Sequence, residues 1–270
     1  MLRRDFLKEC ALGAAAGMVG GLAGSRWARA AAGTPSAPAA GPIARRTKPF
    51  MLGADLSWVP EDEAAGAEYY DLGKRQDIFD ILQKYDFNAI RLRTFVNPKA
   101  PGGYAARMSE AFCDITHALA MAKRCKAAGM RIILNAHLSD TWSSPGHQAK
   151  PAAWKDMNFN QLQNAVHDWI KSMVVALNAQ GTPADMVAVG NEISDGCLFP
   201  DGRASDGAKF AALIGAGCQA VREFNPQTQI MLHHSLGRKN SAVVPWVDNF
   251  LKHGVSFDVI GMSCYAEAKP

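Results

Sequence analysis

The stretch VAVGNEISDG, Val187 to Gly196, places an amide and a carboxylate, Asn191 and Glu192, directly after an apolar run and a glycine. A carboxylate in that position is costly to keep out of water unless it is used. Other polar and aromatic side chains stand at comparable places. Asp55, Ser57 and Trp58 close one apolar run, and Arg91 and Arg93, two residues apart, share a face of the next. His137 ends a third run, with Ser139, Asp140 and Trp142 just beyond it; His233 and His234 end a fifth, and Tyr265 a sixth. Carboxylates, hydrogen-bond donors and aromatic rings in one place suit a carbohydrate, whose hydroxyls need polar partners and whose apolar ring face stacks on Trp or Tyr. Among such neighbours a carboxyl group serves as a general acid if its surroundings favour its protonated form.

These side chains need strands that end together. Six short runs rich in β-branched residues satisfy this: PFMLGADLS, NAIRLRTFV, MRIILNAHLS, MVAVGNEIS, QIMLHHSLG and FDVIGMSCY. Between them lie segments with helical spacing: RQDIFDILQKY, EAFCDITHALAMAKRCKAAG, NFNQLQNAVHDWIKSMVVALNAQG, AKFAALIGAGCQAVREFN and VPWVDNFLKHG. Most stop at a glycine or at Asn225-Pro226, as helix ends do. Alternating strands and helices with polar strand ends predict an α/β fold, a (β/α)8 TIM barrel with its site at the C-terminal ends of the strands. About six βα units are countable where a closed barrel has eight. The competing expectation is a six-stranded doubly wound sheet, but no Gly-rich phosphate loop follows any strand.

Each candidate also has a purely structural reading. Asp55 and Arg91 can simply pair inside a barrel. His234 alternates with His233 and is expected to pack away from the site. Trp142 and Trp154 suit core and cleft equally. Adjacent Asn191 and Glu192 would point to opposite faces of a regular strand, so a β-bulge is expected to re-aim one of them.

The ends of the chain set its context. Residues 1–30 have a basic start with Arg3-Arg4, an apolar Gly/Ala-rich stretch and Ala28-Arg29-Ala30, the pattern of a twin-arginine signal peptide. Export to the periplasm or the exterior follows, with no membrane association after cleavage. Residues 31–48 are Pro/Ala/Gly-rich and predict a linker, leaving 49–270 as the N-terminal three quarters of a barrel domain. The signal holds five Arg/Lys and two Asp/Glu, so only +1 of the formal +4 belongs to the remainder, and no nucleic-acid footprint survives. Cys10 leaves with the signal. The other five cysteines, Cys113, Cys125, Cys197, Cys218 and Cys264, show no metal-ligand spacing.

The motifs GADLSWV, EDEAAG, AIRLRTFVNP, AKRCKAAGMRIILNAHLSDTWSSPGHQAKPAAW, VAVGNEISDGCLFPDG, IMLHHSLG and FDVIGMSCY occur in order from Phe50 to Tyr265. Together they resemble glycoside hydrolase family 53, the arabinogalactan endo-β-1,4-galactanases. HLSDTW together with GNEI is specific, whereas GNE alone marks only the wider clan. The resemblance implies retaining hydrolysis of galactan, the side chain of pectin, by a monomer without a cofactor; calcium in late loops is the one metal it allows. It implies Glu192 as acid/base, Asn191 as the ligand of the sugar 2-hydroxyl, and His137, Asp140 and Trp142 in the cleft. Arg91, Arg93, Asp55, His233 and Tyr265 complete the expected substrate-binding set. A retaining mechanism needs a second carboxylate about 5–5.5 Å from the first. The resemblance places it as a Glu on a seventh strand, beyond the sixth strand at FDVIGMSCY. The sixth-strand motif also departs from the family's two tyrosines and a proline, reading Cys264-Tyr265-Ala266, and Glu267 is not a substitute nucleophile. The sequence is therefore expected to be part of a longer enzyme. The alternatives are an inactive or carbohydrate-binding remnant and, more remotely, a metal-dependent barrel hydrolase using His137, Asp140 and His233.

Overall fold

The computed structural model describes residues 50–265. The expected signal peptide and linker, and Glu267, lie outside the described residues. Six parallel strands form one sheet: β1 (Gly53–Asp55), β2 (Ala89–Thr94), β3 (Arg131–Ala136), β4 (Met186–Val189), β5 (Gln229–His234) and β6 (Val259–Met262). Their order in space is their order in the chain, each hydrogen-bonded to the next. A doubly wound sheet reverses strand order at a switch point. None occurs, so the architecture is that of the (β/α)8 barrel, with six of its strands among the described residues.

The helices are α1 (Val59–Ala64), α2 (Ile78–Lys84), α3 (Ile115–Ala127), α4 (Phe159–Ala179), α5 (Gly207–Phe224) and α6 (Asn240–Lys252). Asn158 and Gln161 close a reciprocal capping box at the start of α4, while Asp77, Asp114 and Asp206 cap α2, α3 and α5. The short α1, which overlaps the EDEAAG motif, is not among the helical segments that the sequence spacing predicts. In α6 the helix starts earlier than Pro245 suggests, and the proline sits inside it. No described helix is long and apolar enough to cross a membrane.

Alternation along the strands divides the sheet into two faces. Ile90, Leu92, Ile132, Leu134, Val187, Val189, Ile230 and Leu232 are all buried. They form the face toward the helices, where Leu162, Val166, Ile170, Met173 and Leu177 of α4 are also fully buried. Gly217 in α5 allows a close approach to the sheet: a Cβ there would stand 2.7 Å from Val189 Cγ1. The other parity carries Arg91, Arg93, Asn135 and His233 toward the barrel interior. Strand register sets Asp55 beside Arg91 and Arg93 beside Asn135.

Candidate active site

The strand β4 stops at Val189 because Gly190 takes a left-handed backbone, φ 83°. Glu192 is left-handed too, φ 48°, in a region where residues with a Cβ are uncommon. These two residues, rather than the expected bulge, turn Asn191 and Glu192 to the same side. The turn is fastened from several directions. The Gln148 side chain donates to the carbonyls of Asn191 and Glu192 (3.0 and 3.3 Å), Ile193 N–H donates to His233 O (2.9 Å), and Trp246 Nε1 donates to Ile193 O (3.0 Å).

Asn191 is 4% exposed, and its amide is oriented by its bonds. Its Oδ1 accepts from Arg91 Nη2 (2.7 Å) and Asn135 Nδ2 (3.3 Å), and its Nδ2 donates to Ser143 O (2.7 Å). Arg91 reaches in the other direction to Asp55 at 2.5 Å, so the ion pair expected as a structural alternative is present and is continuous with Asn191. Burial raises the proton affinity of Asp55, but Arg91, the Ser57 hydroxyl and Arg93 together outweigh it and leave the carboxyl below its ordinary range.

Glu192 opens onto a cleft of about 470 Å³ lined by Arg91, Trp142, Asn191, His233, Ser263 and Tyr265 among others; it is the one carboxylate among the described lining residues. Its Oε1 accepts from the Ser263 hydroxyl and, at 3.4 Å, from Tyr265. Its backbone N–H donates to His233 Nδ1 (3.2 Å), and His233 Nε2 lies 3.0 Å from Ser263 Oγ. Burial, helped by Arg91, pushes the His233 imidazole down to about 4, so it is neutral at pH 7.

Not all expected residues reach the cleft. Trp142 does and is 47% exposed, while Trp154 is core, packed edge-on against Trp169. His234 points to the helices and packs edge-on on Trp246 at 5.0 Å, as alternation predicts. His137 is fully buried beneath the cleft, between Phe95 and Trp142, and accepts from Ser143 N–H at 3.1 Å. Burial, with Arg91 and Arg93 nearby, holds it well below the ordinary histidine value. Asp140 does not face the cleft: it is 5% exposed, and its two oxygens accept from the Asn97 and Ala152 amides (2.9 and 2.7 Å), pinning two loops. Arg93 is buried as well. Its guanidinium lies 4.5 Å from the Trp58 ring and 4.1 Å from the Trp142 ring, while Nε and Nη1 have no acceptor among the described residues. Asn135, Gln148 and Ser263 belong to the site although the sequence did not single them out, and Trp58, named at the first strand end but outside the expected substrate-binding set, joins them. Parity gave a signal for two of them: Ser263 falls on the face of Gly261 and Tyr265, and Asn135 on that of His137.

The residues of the metal-ligand reading are engaged elsewhere in part. Asp140 accepts from two backbone amides, His137 packs against Trp142, and no cluster of three or more His, Cys, Asp or Glu side chains able to hold a metal occurs among the described residues.

A parallel barrel whose fourth strand ends in an amide and a carboxylate, open to a cleft edged by an indole, has the form of a sugar-cleaving barrel. The chain belongs to glycosyl hydrolase family 53, whose model matches residues 51–269. A Niallia circulans protein, described as "Uncharacterized protein in bgaB 5'region", is 36% identical over 80% of this chain and 59% of its own length. The "Probable arabinogalactan endo-beta-1,4-galactanase A" of Neosartorya fischeri is 33% identical over 81% of this chain and 61% of its own. Among solved structures, the Ignisphaera aggregans GH53 catalytic domain superposes with a TM-score of 0.75 at 32% identity, covering 82% of this chain and 61% of that one. The chain thus spans about three fifths of the length of the curated relatives it matches.

Proposed function

We propose that the complete protein is a retaining endo-β-1,4-galactanase acting on galactan or arabinogalactan. The observation that carries this is the placement of Glu192: a carboxylate at the end of β4, beside Asn191, held by Ser263 and Tyr265 and facing an open cleft. The activity named for the Neosartorya fischeri relative supports the choice of substrate. Glu192 protonates the leaving oxygen and later deprotonates water. Asn191 keeps one Nδ2 hydrogen beyond its bond to Ser143, available for the sugar 2-hydroxyl. The nucleophile is assigned to a Glu on a seventh strand, as the family resemblance implies.

Trp142 supplies the stacking surface and Arg91, His233 and Tyr265 the polar walls. Arg93, His137 and Asp140 act from below by fixing Trp142 and its loop. Endo action on a polymer is supported by a neighbouring cleft that shares Trp142 and is lined by Thr141, Ser144, His147, Gln148 and Phe199, which lets a chain continue past the scissile bond. Residues 1–30 are proposed to export the protein through the twin-arginine route, with 31–48 as the linker.

Glu192→Gln tests the reading. General acid assistance contributes roughly 10²- to 10⁴-fold. Galactan hydrolysis should fall by that order, and hydrolysis of a dinitrophenyl galactoside, whose leaving group needs no proton, by much less. Equal losses on both substrates would remove Glu192 from the acid/base role.

A further inference from the structure

The hydrogen bonds around Glu192 take their direction from one backbone group. The Glu192 N–H can only donate, and it does so to His233 Nδ1 at 3.2 Å. That nitrogen is therefore bare, and a neutral imidazole with a bare Nδ1 carries its proton on Nε2. Nε2–H faces Ser263 Oγ at 3.0 Å and donates to it. Ser263 has a single proton. With its oxygen accepting from His233, the hydroxyl gives that proton to its other partner, Glu192 Oε1. Tyr265 O–H points to the same oxygen at 3.4 Å. In this arrangement His233 Nδ1 and Asn191 Oδ1, 3.2 Å apart, are both acceptors, and the donors Arg91 and Asn135 offset the contact on the Asn191 side.

We infer that Ser263 is a positioning residue which, aligned by His233, reserves Glu192 Oε1 as an acceptor and so places the acid proton of Glu192 on Oε2. This rests on the acid/base reading of Glu192. A proton on Oε1 would meet two donors, whereas Oε2 meets neither. When Oε2–H transfers its proton to the leaving oxygen, that oxygen keeps the electron pair of the broken glycosidic bond, and the anomeric carbon bonds to the seventh-strand carboxylate proposed as nucleophile. The negative charge left on the carboxylate is then shared with Oε1, where Ser263 and Tyr265 already donate. In the second half, Oε2 takes a proton from the water as that water bonds to the anomeric carbon and displaces the nucleophile, restoring the starting state. The charged and titratable groups facing this circuit are Arg91 with Asp55 from β2 and β1, His137 beyond β3 and Tyr265 beyond β6, while His234, next to His233 in the chain, points to the helices.

Two measurements on the complete protein test it. Nitrogen-15 spectra of the imidazoles at pH 7, with His233 assigned by its loss in His233→Gln, should show Nδ1 unprotonated and Nε2 protonated. A proton on Nδ1 overturns the circuit. Ser263→Ala, checked for an unchanged circular dichroism spectrum, should slow galactan hydrolysis by about 10- to 100-fold, the effect of one hydrogen bond to a charged group. It should slow the dinitrophenyl galactoside far less, and Ser263→Thr, which keeps the hydroxyl, should recover most of the galactan rate. Equal losses on both substrates, with Thr no better than Ala, overturn the positioning role. Failure of the underlying reading would show separately, as equal losses in Glu192→Gln with the His233 spectrum as expected.

Discussion

Trp142→Ala separates the two faces of one indole ring. The residue is 47% exposed, so about half of the roughly 150–250 Å² that such a side chain buries is protein contact. About 100 Å² at about 25 cal/mol/Å² corresponds to about 2.5 kcal/mol, and a compact unfolded chain trims this toward about 2 kcal/mol. Arg93 loses the ring at 4.1 Å but keeps Trp58 at 4.5 Å, which adds about 0.5–1 kcal/mol. The sum is about 2.5–3 kcal/mol, and for a domain of this size it lowers Tm by roughly 5–12 °C. The open face should matter independently. Losing a stacking platform of this kind is expected to weaken galacto-oligosaccharide binding about tenfold or more. Differential scanning calorimetry reads the first effect, and isothermal titration with galacto-oligosaccharides in a Glu192→Gln background reads the second. An unchanged Tm would refute the support role toward Arg93. A lowered Tm with unchanged affinity of the folded protein would refute the stacking role, leaving Trp142 as a packing residue only.

Gly217→Ala should destabilise the fold by about 1–3 kcal/mol, because the new methyl meets the stiff, fully buried Val189 at 2.7 Å; an unchanged urea midpoint would mean that α5 can shift away from the sheet. Asp140→Ala leaves the Asn97 and Ala152 amides without their acceptor and should cost about 2–4 kcal/mol while raising KM through loosening of the Trp142 loop; a KM effect without loss of stability would return Asp140 to direct substrate contact. Stability should also fall on acidification. His233 and His137 titrate below their ordinary 6.5 in the fold, so beneath that pH the unfolded chain takes up protons that the fold does not. The loss should run from about pH 6.5 down toward 4; His167, raised by Asp168 and Glu223 against the opposing effect of burial, works in the opposite sense but is largely solvent-screened. Urea midpoints at pH 7.5 and 5 read the difference, which His233→Gln should reduce; a midpoint that rises on acidification contradicts the sign.

The six strands were legible because each is an apolar run of the right length between helix punctuation, and their consecutive order follows from repeated βα units. Alternation was equally informative where the backbone is regular: it separated His233 from His234 and put Arg91 and Arg93 on one side. It failed where the backbone leaves the strand. The left-handed residues at Gly190 and Glu192 re-aim the central pair, and such turns depend on tertiary fastenings such as Gln148 and Trp246, more than forty residues away in the chain. Asp140 was placed with the cleft because its neighbours are there. Only the hydrogen bonds from Asn97 and Ala152 show that its charge is used to tie loops. Parity alone puts Ser263, just past the end of β6, on the side of Tyr265, and its role becomes legible only from its partners His233 and Glu192.

The backbone of Glu192 sets a conflict between durability and chemistry. A side-chain-bearing residue at φ 48° costs on the order of 1–3 kcal/mol where glycine would cost nothing and asparagine little. Replacing Glu192 by glycine or asparagine is thus among the easier routes to a more heat-resistant protein, and it removes the one carboxylate that faces the cleft among the described residues. Laboratory evolution that selects this protein for thermal tolerance alone should find that substitution early and return robust, inert variants. Given the function proposed above, screens for a tougher version have to score sugar release in the same well as survival.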